Sequence, residues 1–222
     1  MTFDIMPYLA EGIGTFSLVF IGAGTAAMQA PDNQTAMLIV GLAFALILLV
    51  IIFVWAKVSG ANVNPVVSLA LAFDGRISYG KMAGYFIAQF IGAIVAGGLL
   101  LLVFGSDSNL GSTIGIFTES NPWKAVLIET IITFFFVLVI LVVTADTSYT
   151  STGGFVIALT LGLGVMFGYN LTGGSLNPAR SFGPALFSGN LDTIWIYFLG
   201  PTLGAVLAFL VYLLFKKHLN NK

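Results

Sequence analysis

The sequence contains no cysteine. That absence excludes disulfides, thiolate-ligated zinc, iron–sulfur clusters and a thiol nucleophile. Histidine is almost missing too. The single one, His218, falls in the polar C-terminal tail, so no histidine metal cluster is available and no metal or other cofactor is implied. Charge is equally scarce: Asp, Glu, Lys and Arg make up 8% of the 222 residues, against roughly 25% in an ordinary soluble domain. Net charge is -1 and no basic patch points to nucleic acid. What remains is apolar, with 58% hydrophobic residues and a mean hydropathy of +1.03. The solvent of such a chain must be largely lipid. A cleaved signal peptide is not expected. Met1 to Pro7 carry Asp4 and no Lys or Arg, the wrong sign for an n-region, and the first apolar run contains Glu11 and continues to about Met28. The lack of an extended targeting segment before that run points to a prokaryotic cell membrane.

Six long apolar runs can be marked, at about Pro7–Met28, Ala36–Ala56, Lys81–Phe104, Trp123–Ala145, Gly153–Asn170 and Asp192–Phe215. Each is near the ~20 residues that carry a helix across ~30 Å of hydrocarbon. Two further apolar segments, Asn64–Phe73 and Asn177–Phe187, reach only about halfway. Both open on Asn-Pro, a good N-cap followed by the residue favoured at the first helical position. Both follow a glycine-bearing stretch, Ser59-Gly60-Ala61-Asn62-Val63 and Thr172-Gly173-Gly174-Ser175-Leu176. One such segment would fit a capped surface helix equally well. Two, at corresponding places in a chain that repeats, point into the membrane.

The repeat is visible in Tyr85-Phe86-Ile87-Ala88-Gln89-Phe90-Ile91-Gly92-Ala93 against Tyr197-Phe198-Leu199-Gly200-Pro201-Thr202-Leu203-Gly204-Ala205, an offset of 112 (85 to 197). The Asn-Pro pairs repeat at 113 (64 to 177), and Glu11 and Glu129 sit in the first helix of each half. Three spans per half is an odd number, so the second half enters the membrane upside down. The expected fold is an all-α membrane protein: six transmembrane helices plus two re-entrant half-helices in an inverted three-plus-three repeat, one domain over 1–222 with halves at about 7–104 and 123–215. In such repeats the short helices mark the transport site. A cytoplasmic N-terminus places Lys57, Arg76, Lys81, Lys216, Lys217 and Lys222 inside and only Lys124 and Arg180 outside, as the positive-inside rule requires. Both termini are then cytoplasmic.

Half-helices entering from opposite faces bring two positive dipole ends together near the midplane. Asn64 and Asn177 cap them, and each keeps a side-chain NH2 to donate. A water accepting from both must turn its hydrogens along the pore, which opposes a proton-conducting chain, and the positive field repels cations. With these residues the sequence resembles the aquaporin and glycerol-facilitator family, the major intrinsic proteins, from about Ala10 to Phe215. Ser175-Leu176-Asn177-Pro178-Ala179-Arg180-Ser181 matches the family's second Asn-Pro-Ala box in full. The first box, Asn64-Pro65-Val66, departs twice: the family usually has His at Asn62 and Ala at Val66.

The resemblance implies a passive channel for water and small uncharged solutes, one pore per subunit of a homotetramer in the lipid bilayer. It also implies a selectivity filter. Counting from the two boxes puts it at Phe44, Val165, Gly174 and Arg180. Strict water channels of the family are similar at Phe44 but have His where Val165 stands. Glycerol facilitators have Trp at 44, Gly at 165 and a second aromatic at 174, with Asp where this chain has Ser181. The ring fits neither type and is expected to be wider and greasier than a water filter. Water, glycerol, hydrogen peroxide, ammonia, urea and small protonated acids all remain candidate solutes. Glu11 and Glu129 are buried charges that need donors; the resemblance assigns them to the unpaired N–H groups of the two loops. The alternative, proton-coupling carboxylates in a secondary transporter, would make the chain a saturable carrier. An enzyme finds no support in spans without histidine, cysteine or a metal-ligand cluster. Rows of small residues, Ala88, Gly92 and Ala96 and their counterparts Gly200, Gly204 and Ala208, are expected to let helices approach closely.

Overall fold

The computed structural model describes residues 4–29 and 35–219; Lys222 and the residues before Asp4 lie outside that range. Among the described residues, six helices are long and apolar enough to cross a bilayer. They are α1 (Met6–Ala27), α2 (Ala36–Trp55), α4 (Tyr79–Phe104), α6 (Pro122–Val143), α7 (Gly153–Thr172) and α9 (Ile194–Leu219). The half-helices are α3 (Pro65–Phe73) and α8 (Pro178–Ser188), and α5 (Ile116–Ser120) is a single short turn before α6. Among the described residues there is no strand. The outer surface is apolar, with Leu102 at 79% and Leu214 at 76% relative exposure. Side chains like these are at rest against acyl chains and would be a liability in water.

The two halves mirror each other in their pairings. α1 packs on α4 as α6 packs on α9, and α1 on α2 as α6 on α7. The halves meet where α2 lies along α7, and each half-helix also leans on the other half, α3 on α9 and α8 on α4. Missing side chains set the closest crossings. A Cβ on Gly92 would strike the Gly12 carbonyl, and one on Gly204 the Thr130 carbonyl. At the α2–α7 seam, a Cβ on either Gly41 or Gly162 would stand 2.9 Å from the other's carbonyl oxygen. With no hydrophobic drive between helices in lipid, such close contact supplies the dispersion that holds the bundle.

Three features were not foreseen from sequence. α5 and a 3-10 turn at Thr147–Tyr149 are too short to carry a periodic pattern. α9 continues to Leu219, so Lys216, Lys217 and His218 form its last turn and are not an unstructured tail. Basic groups there complement the negative end of the helix dipole.

Candidate pore and selectivity filter

Both half-helices begin as their sequence dictates. Asn64 and Asn177 are extended, at φ -156° and -154°, and each is followed by proline at the first helical position. Asn64 Oδ1 accepts from the Val66 N–H at 3.1 Å, and Asn177 Oδ1 accepts from Ala179 and Arg180 at 3.0 and 3.2 Å. The amide nitrogens reach across to the opposite loop. Asn64 Nδ2 donates to the Leu176 carbonyl at 2.8 Å, and Asn177 Nδ2 to the Val63 carbonyl at 2.9 Å. Each NH2 has two protons, so one is fixed between the loops and one is left for a passing solute.

The accepting carbonyls belong to residues in the left-handed region, Val63 at φ 44° and Leu176 at φ 55°. For a β-branched residue this conformation costs of order 1–3 kcal/mol and needs strong support. The buried glutamates provide it. Glu11 accepts from the N–H groups of Asn62 (2.9 Å) and Val63 (2.6 Å), from Ser59 Oγ (2.7 Å) and from Gln89 Nε2 (2.8 Å). Glu129 accepts from the N–H groups of Ser175 (2.9 Å) and Leu176 (3.0 Å) and from Thr172 Oγ1 (2.6 Å). Both carboxylates are fully buried. Loop N–H groups thus point back to the glutamates. The carbonyls of Gly60, Ala61, Asn62, Gly173, Gly174 and Ser175 take no hydrogen bond from any described residue. Gly60 is exposed, but the other five residues are buried; buried carbonyls need partners, and a solute in single file can supply them.

Two cavities flank this junction. One, of about 520 Å³, is lined by Gly60, Ala61, Asn62, Arg76 and Lys81 among others. The other, of about 200 Å³, is lined by Gly111, Tyr169, Asn170, Gly173 and Arg180 among others. At the mouth of the second, Arg180 is 2% exposed and donates from Nη1 to the Gly111 carbonyl at 2.8 Å. Its guanidinium carbon lies 4.9 Å from the centre of the Phe44 ring, close enough for a cation–π contact. Gly174, at φ +58°, lies so close to α7 that a Cβ would stand 2.8 Å from the Val165 carbonyl oxygen. The structure therefore brings Phe44 to Arg180 and Val165 to Gly174. Val66 and Val165 are both buried, at 2% and 1% exposure. Pro65, Pro178 and Ala179 are buried in the first turns of their half-helices. Asn62, in the place of the usual histidine, donates from Nδ2 to Ser68 Oγ at 3.2 Å.

Several supporting residues were missed. Tyr85 donates to the Ser59 carbonyl at 2.6 Å, and Tyr197 Oη stands 2.6 Å from the Thr172 carbonyl. These two tyrosines head the repeated segments and so were findable from the repeat. Gln89 was not, because its counterpart is Pro201. Gly111 carries no motif; its role depends on a left-handed turn, φ +67°, in the α4–α5 loop.

A six-span bundle with two half-helices meeting at carbonyls that take no hydrogen bond from the described residues has the form of a pore. The family model for Major intrinsic protein matches residues 3–212. The chain belongs to that family, and it is a channel for water and small uncharged solutes, not an enzyme. It is similar to Glycerol uptake facilitator protein-like 6 of Lactiplantibacillus plantarum, 41% identical over 90% of this chain and 94% of that protein. It is also similar to Aquaporin TIP2-3 of Arabidopsis thaliana, 36% identical over 94% and 86% of the two chains. Among solved structures it resembles the aquaglyceroporin from Plasmodium falciparum, with TM-score 0.79, 28% identity and 94% and 95% coverage.

Proposed function

We propose that the channel conducts water, hydrogen peroxide and glycerol, with Phe44, Val165, Gly174 and Arg180 as its selectivity filter and the Asn64-Pro65-Val66 and Asn177-Pro178-Ala179 boxes as its central constriction. The observation that carries this reading is the Arg180 guanidinium, held between the Phe44 ring and the Gly111 carbonyl. A fixed cation facing an apolar ring offers donors to a solute oxygen and repels other cations. Val165 and Gly174 add no donor and little bulk, so a carbon backbone passes more readily than through a ring containing histidine. The printed name of the Lactiplantibacillus relative, a glycerol uptake facilitator-like protein, supports the glycerol component. Protons are excluded at the boxes, where the free protons of two amides and two helix N-termini orient each water.

The chain is read as one channel domain, with halves at about 7–104 and 123–215, working as a homotetramer in a prokaryotic cell membrane. Both termini face the cytoplasm. Lys57, Arg76, Lys81, Lys216 and Lys217 support that orientation, since all belong to one side of the predicted topology. Stopped-flow light scattering on proteoliposomes, run against water, glycerol and hydrogen peroxide, tests the solute range. A wild type impermeable to glycerol would show the filter assignment to be wrong.

A further inference from the structure

The two partners of Arg180 come from distant parts of the chain, yet both rest on the same step of α1. Phe44 belongs to α2 and Gly111 to the loop between α4 and α5. A Cβ on Gly22 would collide with Cε1, Cδ1 and Cζ of the Phe44 ring. The ring therefore lies in the space left by the side chain Gly22 lacks. At the next residue, the Ala23 carbonyl stands where a Cβ on Gly111 would be. Gly111 reaches that carbonyl in a left-handed turn whose other anchor is Leu110, fully buried, at φ 53°. The turn is fixed further by Asn109 Oδ1, which accepts from the Gly111 N–H at 3.0 Å.

From this geometry we infer that Gly22 and Ala23 of α1 form a positioning platform that sets the bore of the selectivity filter without touching the solute, seating the Phe44 ring and the Gly111 turn that together hold Arg180. The backbone of α1 has little room to retreat from an added atom at 22. On the opposite face, two residues on, α1 already meets α4: Leu100 Cδ2 stands 3.1 Å from a Cβ on Gly24. A methyl at position 22 is therefore relieved by the ring, which is displaced towards Arg180 and narrows the passage. The Arg180 guanidinium has little to resist with, since its buried Nε has no partner and, among the described residues, Nη1 alone hydrogen-bonds to protein.

The inference rests on the filter reading above, and a double-variant cycle separates the two. The glycerol-to-water permeability ratio is measured in proteoliposomes for wild type, Gly22→Ala, Phe44→Leu and Gly22→Ala/Phe44→Leu. A ratio is insensitive to the fraction of channels that fold, so a merely structural defect leaves it unchanged. Gly22→Ala is expected to lower the ratio at least fivefold, and Phe44→Leu to raise it. In the Phe44→Leu background, where the ring atoms that meet the methyl are gone, Gly22→Ala is expected to change the ratio less than twofold. If Gly22→Ala alone yields no folded protein but folds in the Phe44→Leu background, the seat is also supported. Failure to fold in both backgrounds, an unchanged ratio in Gly22→Ala, or an equal effect in both backgrounds would overturn the platform. If Phe44→Leu itself left the ratio unchanged, the filter assignment would fall first.

Discussion

At the scale of single residues, the proposed filter makes selectivity a matter of what is absent at two positions. Val165 offers the file no polar group, and Gly174 offers only backbone because α7 leaves no space for a side chain. Putting an imidazole at 165 adds volume and a donor on the α7 side of the filter. A water can bridge the imidazole and Arg180, while a polyol must shed contacts to pass. Val165→His is therefore expected to lower glycerol permeability more than water permeability. An unchanged or higher glycerol-to-water ratio in proteoliposomes would rule out Val165 as a filter residue. Arg180→Ala acts in the opposite sense. It removes the cation and its contact with Phe44, so the ratio is expected to rise and a proton leak to appear, read with a pH-sensitive dye trapped in the vesicles. No rise in either quantity would sink the role given to Arg180. The residues of the two boxes were legible because Asn-Pro at a fixed spacing has a physical reason at each position. Gly111 was not, since a backbone carbonyl that any residue carries leaves no mark on the sequence.

At the scale of elements, each re-entrant segment is a half-helix plus a loop whose N–H groups need a buried acceptor. A carboxylate in the first helix of the same half meets that need, and the pattern recurs as Glu11 with Ser59 and Tyr85, then Glu129 with Thr172 and Tyr197. The two glutamates stood out in the sequence as isolated charges in apolar runs, and the family resemblance assigned them to the loop N–H groups; the tyrosines that complete each set did not stand out. Nor did the sequence display that Glu11 has a fourth donor, Gln89, whereas Glu129 has three. Glu129→Gln keeps one acceptor oxygen but turns the other atom into a donor facing a donor. The expected cost is about 1–3 kcal/mol, read as lower thermal stability and lower yield of assembled channel, with little change in the solute ratio of what does assemble. A variant of normal stability that is dead for transport would instead assign the carboxylate to the transport step. The short α5 and the 3-10 turn escaped detection for a different reason: a single turn cannot show a period.

At the scale of the whole molecule, the absence of cysteine and the place of the only histidine make two predictions. Mercurial reagents are expected not to inhibit the purified channel, since no thiolate is present to bind them. Strong inhibition reversed by added thiol would contradict that. Permeability is expected to stay flat between external pH of about 5 and 8, the range in which histidine is the usual titrating group, because the filter contains none and His218 is in the last turn of α9. A steep change in that range that persists in His218→Gln would require another titrating group. The architecture as a whole was readable from composition, run lengths and the repeat. The depth of the helix crossings was not, because the rows of small residues do not say which carbonyl each glycine meets.

The reciprocal bonds between Asn64 and Leu176 and between Asn177 and Val63 also order events in time. The 113 residues separating the two boxes (64 to 177) take about 6–23 s to synthesise at ~5–20 residues per second. Through that interval Val63 lacks the donor that holds its carbonyl. The nascent chain therefore has no finished passage to leak through, and completion of the pore coincides with arrival of the last two helices. Fragments 1–107 and 108–222, divided in the exposed stretch after α4, are expected to be silent when reconstituted separately and to conduct water when co-expressed. Water flux from fragment 1–107 alone would show that the halves do not need each other.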